Sequence, residues 1–440
     1  MDRVREAALL CVYDTEYNGA YSNMALKKAI RDNKFSHKDA SFLTMLVYGT
    51  IGRKITLDYI ISKYSKIKLK KISKYIMQIL RIGMYQIFFT DKIPDSAAAD
   101  ECVKLAKRYG HGASTGFVNG VLRSAARDKK IEYPSDKVKY LSVKYSYPEE
   151  TAQRWIDAFG YEFAEDIMKA QSEDAEMTLR INRLKSDTGT VSDMLKKNGV
   201  NVRKCADSEF FIKTDGFDIV NSELYKKGII TAQDISASLA VSVLAPEKGE
   251  NVLDICAAPG GKTTLCGEFM ENTGHITACD IHPHKIDIIK KNAARMGIDI
   301  IDARLSDSTE FKEEFKENFD RVLADVPCSG SGIIKRKPDI KYKPDMEYEM
   351  QYKILENAAA YLKRGGFMVY STCSIEKSEN EDIINRFLKE HTDFECEDIS
   401  GKLPERLRKD TASSGYVTIY PTDGADGFFI CGIRKKQRKK

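Results

Sequence analysis

Two cysteines with similar surroundings are the residues of this sequence best suited to covalent chemistry. Cys328 lies in the stretch DVPCSG, and Cys373 lies in the stretch STCS. Each stretch follows a short hydrophobic run, at residues 321–324 and 367–370 respectively. Parallel strands present their carboxyl ends at one edge of a sheet, where open α/β folds bind ligands, so we expect both thiols to project from that edge. The pair therefore predicts nucleophilic thiol chemistry.

A glycine-rich stretch, DICAAPGGK at residues 254–262, is typical of a turn between a strand and a helix that holds a nucleotide-like cofactor. Its end resembles a Walker A loop, but Cys256 stands where that motif needs its first glycine, which disfavours an NTPase. Asp280 lies twenty residues after Gly260, a spacing suited to binding ribose hydroxyls. Asp307 follows the next predicted strand, where it is either an adenine ligand or a turn residue.

These residue types together are suited to methyl transfer to a pyrimidine. A Cys373 thiolate that attacks carbon 6 of the ring makes carbon 5 nucleophilic enough to accept a methyl group from a sulfonium donor. The adduct must then lose the carbon 5 proton and release the enzyme, a step in which Cys328 can assist. Asp325 can hydrogen-bond the base near its ring nitrogen. The target base must be single-stranded or flipped out of its stack.

The same stretches resemble the RNA 5-methylcytosine methyltransferases of the Nop2/Sun group, the RsmB/NOP family, and the resemblance covers essentially the whole chain. It implies that Cys373 is the nucleophile and that Cys328 assists product release. DNA cytosine methyltransferases attack from the Pro-Cys cysteine instead, so the presence of both stretches indicates an RNA enzyme. The resemblance also implies contacts to S-adenosylmethionine, the methyl donor, from Cys256, Ala257, Ala258, Pro259, Gly260, Gly261, Lys262, Asp280, Lys285, Asp307 and Asp325. The family pattern has an arginine where this chain has Lys285.

Three N-terminal stretches resemble the RNA-binding NusB fold: LVYGT at 46–50, RIGMYQ at 81–86 and VNGVLR at 118–123. Further matches to the NusB-containing bacterial members of the family lie at 333–342 and 426–429. This combination implies that the partner is small-subunit (16S) ribosomal RNA.

The apolar pattern of the chain predicts three domains and a tail. Residues 1–130 show helical spacing without strand alternation and predict an all-α, NusB-like bundle. Residues 131–246 predict a linker with a small α+β RNA-binding region. Residues 247–434 alternate strands and helices and predict a doubly wound, Rossmann-like α/β methyltransferase domain. Residues 435–440 form a basic tail.

Composition narrows the class of protein only slightly. The chain has 440 residues, a formal net charge of +5 and 42% hydrophobic residues, which is typical of a globular protein and permits a nucleic-acid partner. The ten cysteines include no Cys-x-x-Cys pair, so we expect no metal. Neither a signal peptide nor an apolar stretch long enough to span a membrane is recognisable, so we expect a cytoplasmic protein, and a monomer by default.

Three basic segments bear on the RNA partner. The segment 335–342 mixes Lys, Arg and Tyr directly after the Cys328 stretch, which favours phosphate contacts and base stacking. The lysines between 63 and 74 are more typical of a solvated helix face, and the basic end of the chain is either an RNA contact or a solubilising tail. A non-catalytic RNA-binding assembly or antitermination factor is the alternative, but such a protein would need neither thiol nor Asp325.

Overall fold

The structure is a computed structural model that describes residues 2–343 and 348–437. The chain divides into two compact units, formed by Met1–Asp174 with Ile334–Pro344 and by Ala175–Ile333 with Asp345–Lys440. The first unit is helical, and the second contains the sheets. Among the described helices, none is both long enough and apolar enough to cross a membrane.

The helices of the first unit are α1 (Arg3–Tyr17), α2 (Ser22–Asn33), α3 (His37–Gly52), α4 (Lys54–Tyr64), α5 (Lys74–Phe89), α6 (Asp95–Tyr109), α7 (Ser114–Asp128), α8 (Lys137–Tyr145), α9 (Glu149–Phe159) and α10 (Tyr161–Ala170). Every residue of α5 from Ile76 to Ile87 is buried. Gly83 allows the close approach of α7, because a Cβ atom there would lie 2.7 Å from a methyl carbon of Leu122. The predicted all-helical N-terminal domain is confirmed.

The helical unit continues past residue 130, into the part of the chain where we expected a middle region. The hydroxyl of Thr56 on α4 donates to the carbonyl of Val143 on α8 at 2.6 Å, and the N–H of Ile55 donates to the Ser146 hydroxyl at 2.8 Å. Trp155 on α9 is fully buried. Helices α9 and α10 each bury one face, so the helical period of this part of the sequence was overlooked. The residues between 131 and 246 thus divide between the two units at Asp174.

The segment Ile334–Pro344 belongs to the helical unit, although its neighbours in the chain belong to the second unit. Lys341 is buried and donates to the carbonyl of Tyr145 at 2.8 Å, and burial lowers its pKa to about 7. The Tyr342 hydroxyl donates to the carbonyl of Ser146 at 3.0 Å. The expected phosphate contact is therefore wrong for Lys341, whose ammonium group binds protein backbone instead. Base stacking on Tyr342 stays a prediction.

The second unit begins with a small antiparallel sheet in the strand order β2-β3-β1-β4. Its elements are β1 (Met177–Ile181), α11 (Thr188–Lys197), β2 (Val202–Lys204), β3 (Phe211–Thr214), α12 (Glu223–Lys226) and β4 (Ile230–Ala232). Leu179, Val191 and Ile212 are fully buried in the core between sheet and helix. A small α+β region is present here, as predicted.

The remaining elements are α13 (Ile235–Leu244), β5 (Asn251–Asp254), α14 (Gly261–Phe269), β6 (His275–Asp280), α15 (Pro283–Met296), β7 (Ile301–Leu305), β8 (Phe319–Asp325), α16 (Tyr348–Tyr361), β9 (Leu362–Thr372), α17 (Glu381–Glu390), β10 (Phe394–Cys396), β11 (Tyr416–Ile419) and β12 (Phe428–Lys435). The strand order is β10-β12-β9-β8-β5-β6-β7, with β11 paired to β12. Strands β5 to β9 are parallel, whereas β12 is antiparallel to β9. The predicted Rossmann-like domain is confirmed.

The large sheet is covered on both faces. Leu323 on β8 belongs to one hydrophobic cluster, while its neighbours Val322 and Ala324 belong to a second cluster on the opposite face. Strands buried on both sides read as continuous hydrophobic runs, which explains the runs that precede both cysteines.

The last strand uses part of the predicted basic tail. Lys435 ends β12, is 4% exposed and donates to the carbonyl of Leu362 at 2.8 Å. Its ammonium group therefore binds the backbone of the sheet and is not part of a solvated tail. Residues 438–440 lie outside the described part of the chain.

Candidate active site

The two singled-out cysteines meet at the carboxyl edge of the large sheet. Strands β8 and β9 are parallel neighbours, with Asp325 paired to Ser371 where they end. Cys328 and Cys373 follow in the next loops, and their Sγ atoms lie 2.9 Å apart without a disulfide. The N–H of Cys373 also donates to the sulfur of Cys328 at 3.2 Å. The expectation that both thiols project from one edge is confirmed.

The thiol of Cys328 ionises less readily than that of an isolated cysteine. The hydrogen bond between Cys328 and the sulfur of Cys373, together with burial, raises the pKa of Cys328 well above its usual value. Ionising both thiols is disfavoured, because a second negative charge would lie beside the first. Cys328 therefore keeps its proton.

A buried carboxylate fixes the loop that carries Cys328. Glu379, 1% exposed, accepts from the N–H of Ser329 at 2.8 Å and from its hydroxyl at 2.6 Å. The amide nitrogen of Gln351 donates to the same carboxylate at 3.1 Å. The sequence analysis missed Glu379, because nothing in the local sequence indicates its contact with a loop fifty positions away.

Asp325 joins the thiol edge to the glycine-rich turn. One of its carboxylate oxygens accepts from Lys262 Nζ at 2.6 Å, and the other accepts from the Ser371 hydroxyl at 2.8 Å. Burial alone would lower the pKa of Lys262, but the charge and the hydrogen bond of Asp325, together with the nearby acidic groups, raise it. Lys262 is therefore a cation beside the site.

The turn itself is shaped for close approach to a ligand. Gly260 has a φ of +95°, in the left-handed region that favours glycine, and its N–H donates to the carbonyl of Ala257 at 2.7 Å. Helix α14 begins at Gly261, so its first N–H groups face the end of the turn. A cavity of about 190 Å³ is lined by the turn together with Asp254, Lys262, Asp325 and Gln233.

Asp254 is a second residue that sequence reasoning did not assign. One oxygen accepts from the Thr263 hydroxyl at 2.6 Å, while the other is buried and has no hydrogen-bond partner among the residues that the structure describes. Burial raises the pKa of Asp254 to about 7, with Thr263 acting against this and Asp325 adding to it. An orphaned carboxyl oxygen in the cavity wall fits a bound cationic or hydrogen-bonding group.

The acids expected to bind the nucleoside lie outside this cavity lining. Asp280 ends β6, where it accepts from the N–H of His282 at 3.0 Å and pairs with Lys285 at 3.5 Å. Asp307 accepts from both the N–H and the hydroxyl of Thr309, at 2.8 and 2.7 Å, and these bonds lower its pKa. In this structure Asp307 therefore has the contacts of a turn residue, the alternative left open by the sequence.

A possible metal-binding group lies elsewhere. Ligand atoms of Glu356, Glu390 and His391 lie within 4.8 Å of one another. The oxygens of Glu390 are already used, because one accepts from Tyr352 and the other from Arg386 at 3.3 Å. This group has the contacts of a surface ion-pair cluster.

Comparisons with known proteins match three separate parts of the chain. The family model for the 16S rRNA methyltransferase RsmB/F matches residues 241–434. The NusB family model matches residues 2–127, and the ferredoxin-like domain model of RsmF/B-like methyltransferases matches residues 147–218. The similarity thus extends across both compact units.

Individual relatives match at full length. The probable ribosomal RNA small subunit methyltransferase B of Bacillus subtilis is 41% identical, over 98% of this chain and 99% of that protein. Its namesake in Synechocystis is 31% identical, over 99% of this chain and 100% of that protein. The crystal structure of PH0851 superposes with a TM-score of 0.84 at 25% identity and covers 99% of both chains.

Proposed function

Because the chain belongs to the 16S rRNA methyltransferase RsmB/F family, we propose that it methylates carbon 5 of one cytosine in that RNA through a covalent Cys373 adduct. The observation that carries this proposal is the pair of thiols 2.9 Å apart at the ends of neighbouring strands. S-adenosylmethionine supplies the methyl group from its sulfonium when it is bound. The alternative of a non-catalytic assembly factor does not account for this pair.

The proposed reaction assigns one step to each residue at the edge. Cys373 forms a bond from its sulfur to carbon 6, and the ring electrons move toward carbon 5. Asp325 lies on the strand end beside it, where its carboxyl group can hydrogen-bond the ring edge and stabilise this redistribution. After carbon 5 has gained the methyl group, its proton leaves and the bond from carbon 6 to sulfur breaks. Cys328 assists both events, because its thiol can give its proton to the departing Cys373 sulfur and the resulting thiolate can accept the proton of carbon 5.

The residues that would hold the cofactor are those of the turn and its neighbours. Cys256 through Lys262 supply backbone groups and a cation, and burial raises the pKa of Cys256, so this thiol acts as a neutral wall. Asp280 would bind the ribose, with Lys285 orienting its carboxylate. Asp307 would bind the adenine through Oδ2, because both hydrogen bonds from Thr309 go to Oδ1. The orphaned oxygen of Asp254 supports a bound ligand at this place.

The substrate, the location and the oligomeric state of the protein are also part of the proposal. We propose that the substrate is small-subunit ribosomal RNA and that the protein is a cytoplasmic monomer. Described lysines between 66 and 71 are exposed and lie partly in a short turn at Leu69–Lys71. They lie between α4 and α5 rather than on the helix face that the sequence favoured, and an RNA contact there is the alternative to a solvated surface.

The position of the methyl group tests the proposed function. The full chain is incubated with unmodified 16S rRNA and methyl-labelled S-adenosylmethionine, and the RNA is digested to nucleosides. The label should elute as 5-methylcytidine. Label on the ribose, on an exocyclic amine or on another base would contradict the proposal, and so would RNA that stays unlabelled.

Glu379→Gln should slow release of the product. Loss of the charge weakens two hydrogen bonds that hold Ser329, so we expect kcat to fall about tenfold with little change in KM. A misplaced Cys328 should also lengthen the lifetime of the covalent adduct in a quenched time course. Glu405→Gln, the same change at an exposed position, is the control and should behave as wild type. A fall in cofactor affinity with normal release would contradict this role.

A further inference from the structure

Arg180 on β1 is fully buried, and its guanidinium reaches groups around the cofactor cavity. It donates to the side-chain oxygen of Gln233, to the carbonyl of Gly261 at 2.7 Å and to the Thr264 hydroxyl at 2.9 Å. It also pairs with Glu268 at 2.9 Å, and neither side chain of that pair has exposed surface. The small sheet thus contacts the first turn of α14 through one side chain.

Burying the charges of Arg180 and Glu268 costs free energy, which a role in positioning neighbouring groups would explain. Burial lowers the pKa of Arg180 and raises that of Glu268, so each charged form is disfavoured by its surroundings. A pair of apolar side chains of similar volume could fill the same space without desolvating charges. An apolar pair could not hold the oxygens of Gln233 and Gly261 at the same time, which Arg180 does.

The hydrogen bond from Arg180 fixes which way the Gln233 amide faces. Arginine only donates, so the amide oxygen must point toward it and the amide nitrogen must point away. That nitrogen lies 3.9 Å from the position that a Cβ atom on Gly261 would occupy, on the wall of the cavity. Within the described residues it has no hydrogen-bond partner. Gln233 therefore presents free N–H donors to whatever occupies the cavity.

The residues that line the cavity indicate which chemical group these N–H donors bind. Gln233 adds its amide donors to those of the first N–H groups of α14, and such a set suits a carboxylate. The orphaned oxygen of Asp254 on the same wall suits an ammonium group. Asp280 and Asp307, expected at the nucleoside, do not line this cavity. An ammonium beside a carboxylate is the amino-acid end of the cofactor.

We propose that Gln233 binds the carboxylate at the amino-acid end of the cofactor and that Arg180 positions its amide to do so. This inference rests on the proposed function, since it names a further ligand of the same cofactor. Gln233 is the binding residue, and Arg180 acts through it and through Gly261. The small sheet then contributes directly to cofactor binding.

Two probes that differ only at the amino-acid end test the inference. Binding of S-adenosylhomocysteine and of 5′-methylthioadenosine, which lacks the amino and carboxyl groups, is measured by calorimetry on the full chain. Gln233→Glu removes the donors and adds a repelling charge, so affinity for S-adenosylhomocysteine should fall by about 10- to 100-fold. Affinity for 5′-methylthioadenosine should stay close to that of wild type. Gln437→Glu, the same change at an exposed position, is the control.

Arg180→Lys keeps the charge but cannot donate to Gln233, Gly261 and Thr264 together, so it should lose the same selectivity between the probes. Equal loss of both probes in Gln233→Glu, or loss of neither, would overturn the inference even if Arg180→Lys does not fold. If Gln233→Glu weakens binding of RNA but not of S-adenosylhomocysteine, the cavity holds the target base and the inference is also wrong. Wild type that fails to bind S-adenosylhomocysteine would overturn the proposed function itself.

Discussion

Cys373→Ser should abolish methyl transfer to 16S rRNA while leaving the binding of S-adenosylhomocysteine unchanged. A serine hydroxyl keeps the size of the side chain but is far less ionised than a thiol, so no bond to carbon 6 forms. Loss of a nucleophile on which every turnover depends typically costs on the order of 10⁴-fold or more in kcat. The measurement is label transfer under single-turnover conditions, with calorimetry of the same preparation.

The matched control for this change is Cys396→Ser. Cys396 lies on β10 at the end of the strand order, outside the site, and is likewise partly exposed. It should transfer methyl groups at the rate of wild type. Transfer by Cys373→Ser at a rate within tenfold of wild type would mean that another group attacks the ring.

Cys328→Ala should trap the enzyme on its RNA. If Cys328 assists the loss of the carbon 5 proton and the departure of Cys373, its removal stops the reaction after the methyl group has been transferred. A band of protein joined to RNA should then accumulate on a denaturing gel when S-adenosylmethionine is present. Wild type should show little of this band, because its adduct is released in each turnover.

The double variant Cys328→Ala with Cys373→Ala separates attack from release. It should form no adduct, because the sulfur that bonds to the ring is gone. An adduct that persists in the double variant would contradict the proposed nucleophile. If Cys328→Ala forms no adduct yet turns over normally, the release step does not use Cys328.

The fold and the meeting of the two thiols were predictable because their signals are local. Continuous hydrophobic runs predict strands β8 and β9, and the shared edge of parallel strands then brings Cys328 and Cys373 together. The turn at Gly260 is likewise predicted by consecutive residues. For these features the spacing of residues along the chain is enough to predict the structure.

The remaining features depend on contacts between distant parts of the chain. Glu379 binds Ser329 across 50 positions, and Arg180 reaches Gly261 across 81. Lys341 was expected to face RNA, but burial against backbone carbonyls is a tertiary effect that its charge does not reveal. Without the packing, an isolated acid or base in the sequence is indistinguishable from a solvated one.

The most direct test of covalent catalysis from Cys373 is to identify the cysteine that bonds to the RNA. A 16S rRNA with 5-fluorocytosine in place of cytosine traps the wild-type adduct, because carbon 5 then carries no proton to lose. Trypsin separates the two thiols, since Cys373 lies in the peptide 365–377 and Cys328 in the peptide 322–335. Mass spectrometry should find the nucleotide on the peptide 365–377. A nucleotide on the peptide 322–335 would contradict the account, because Cys328 would then be the nucleophile.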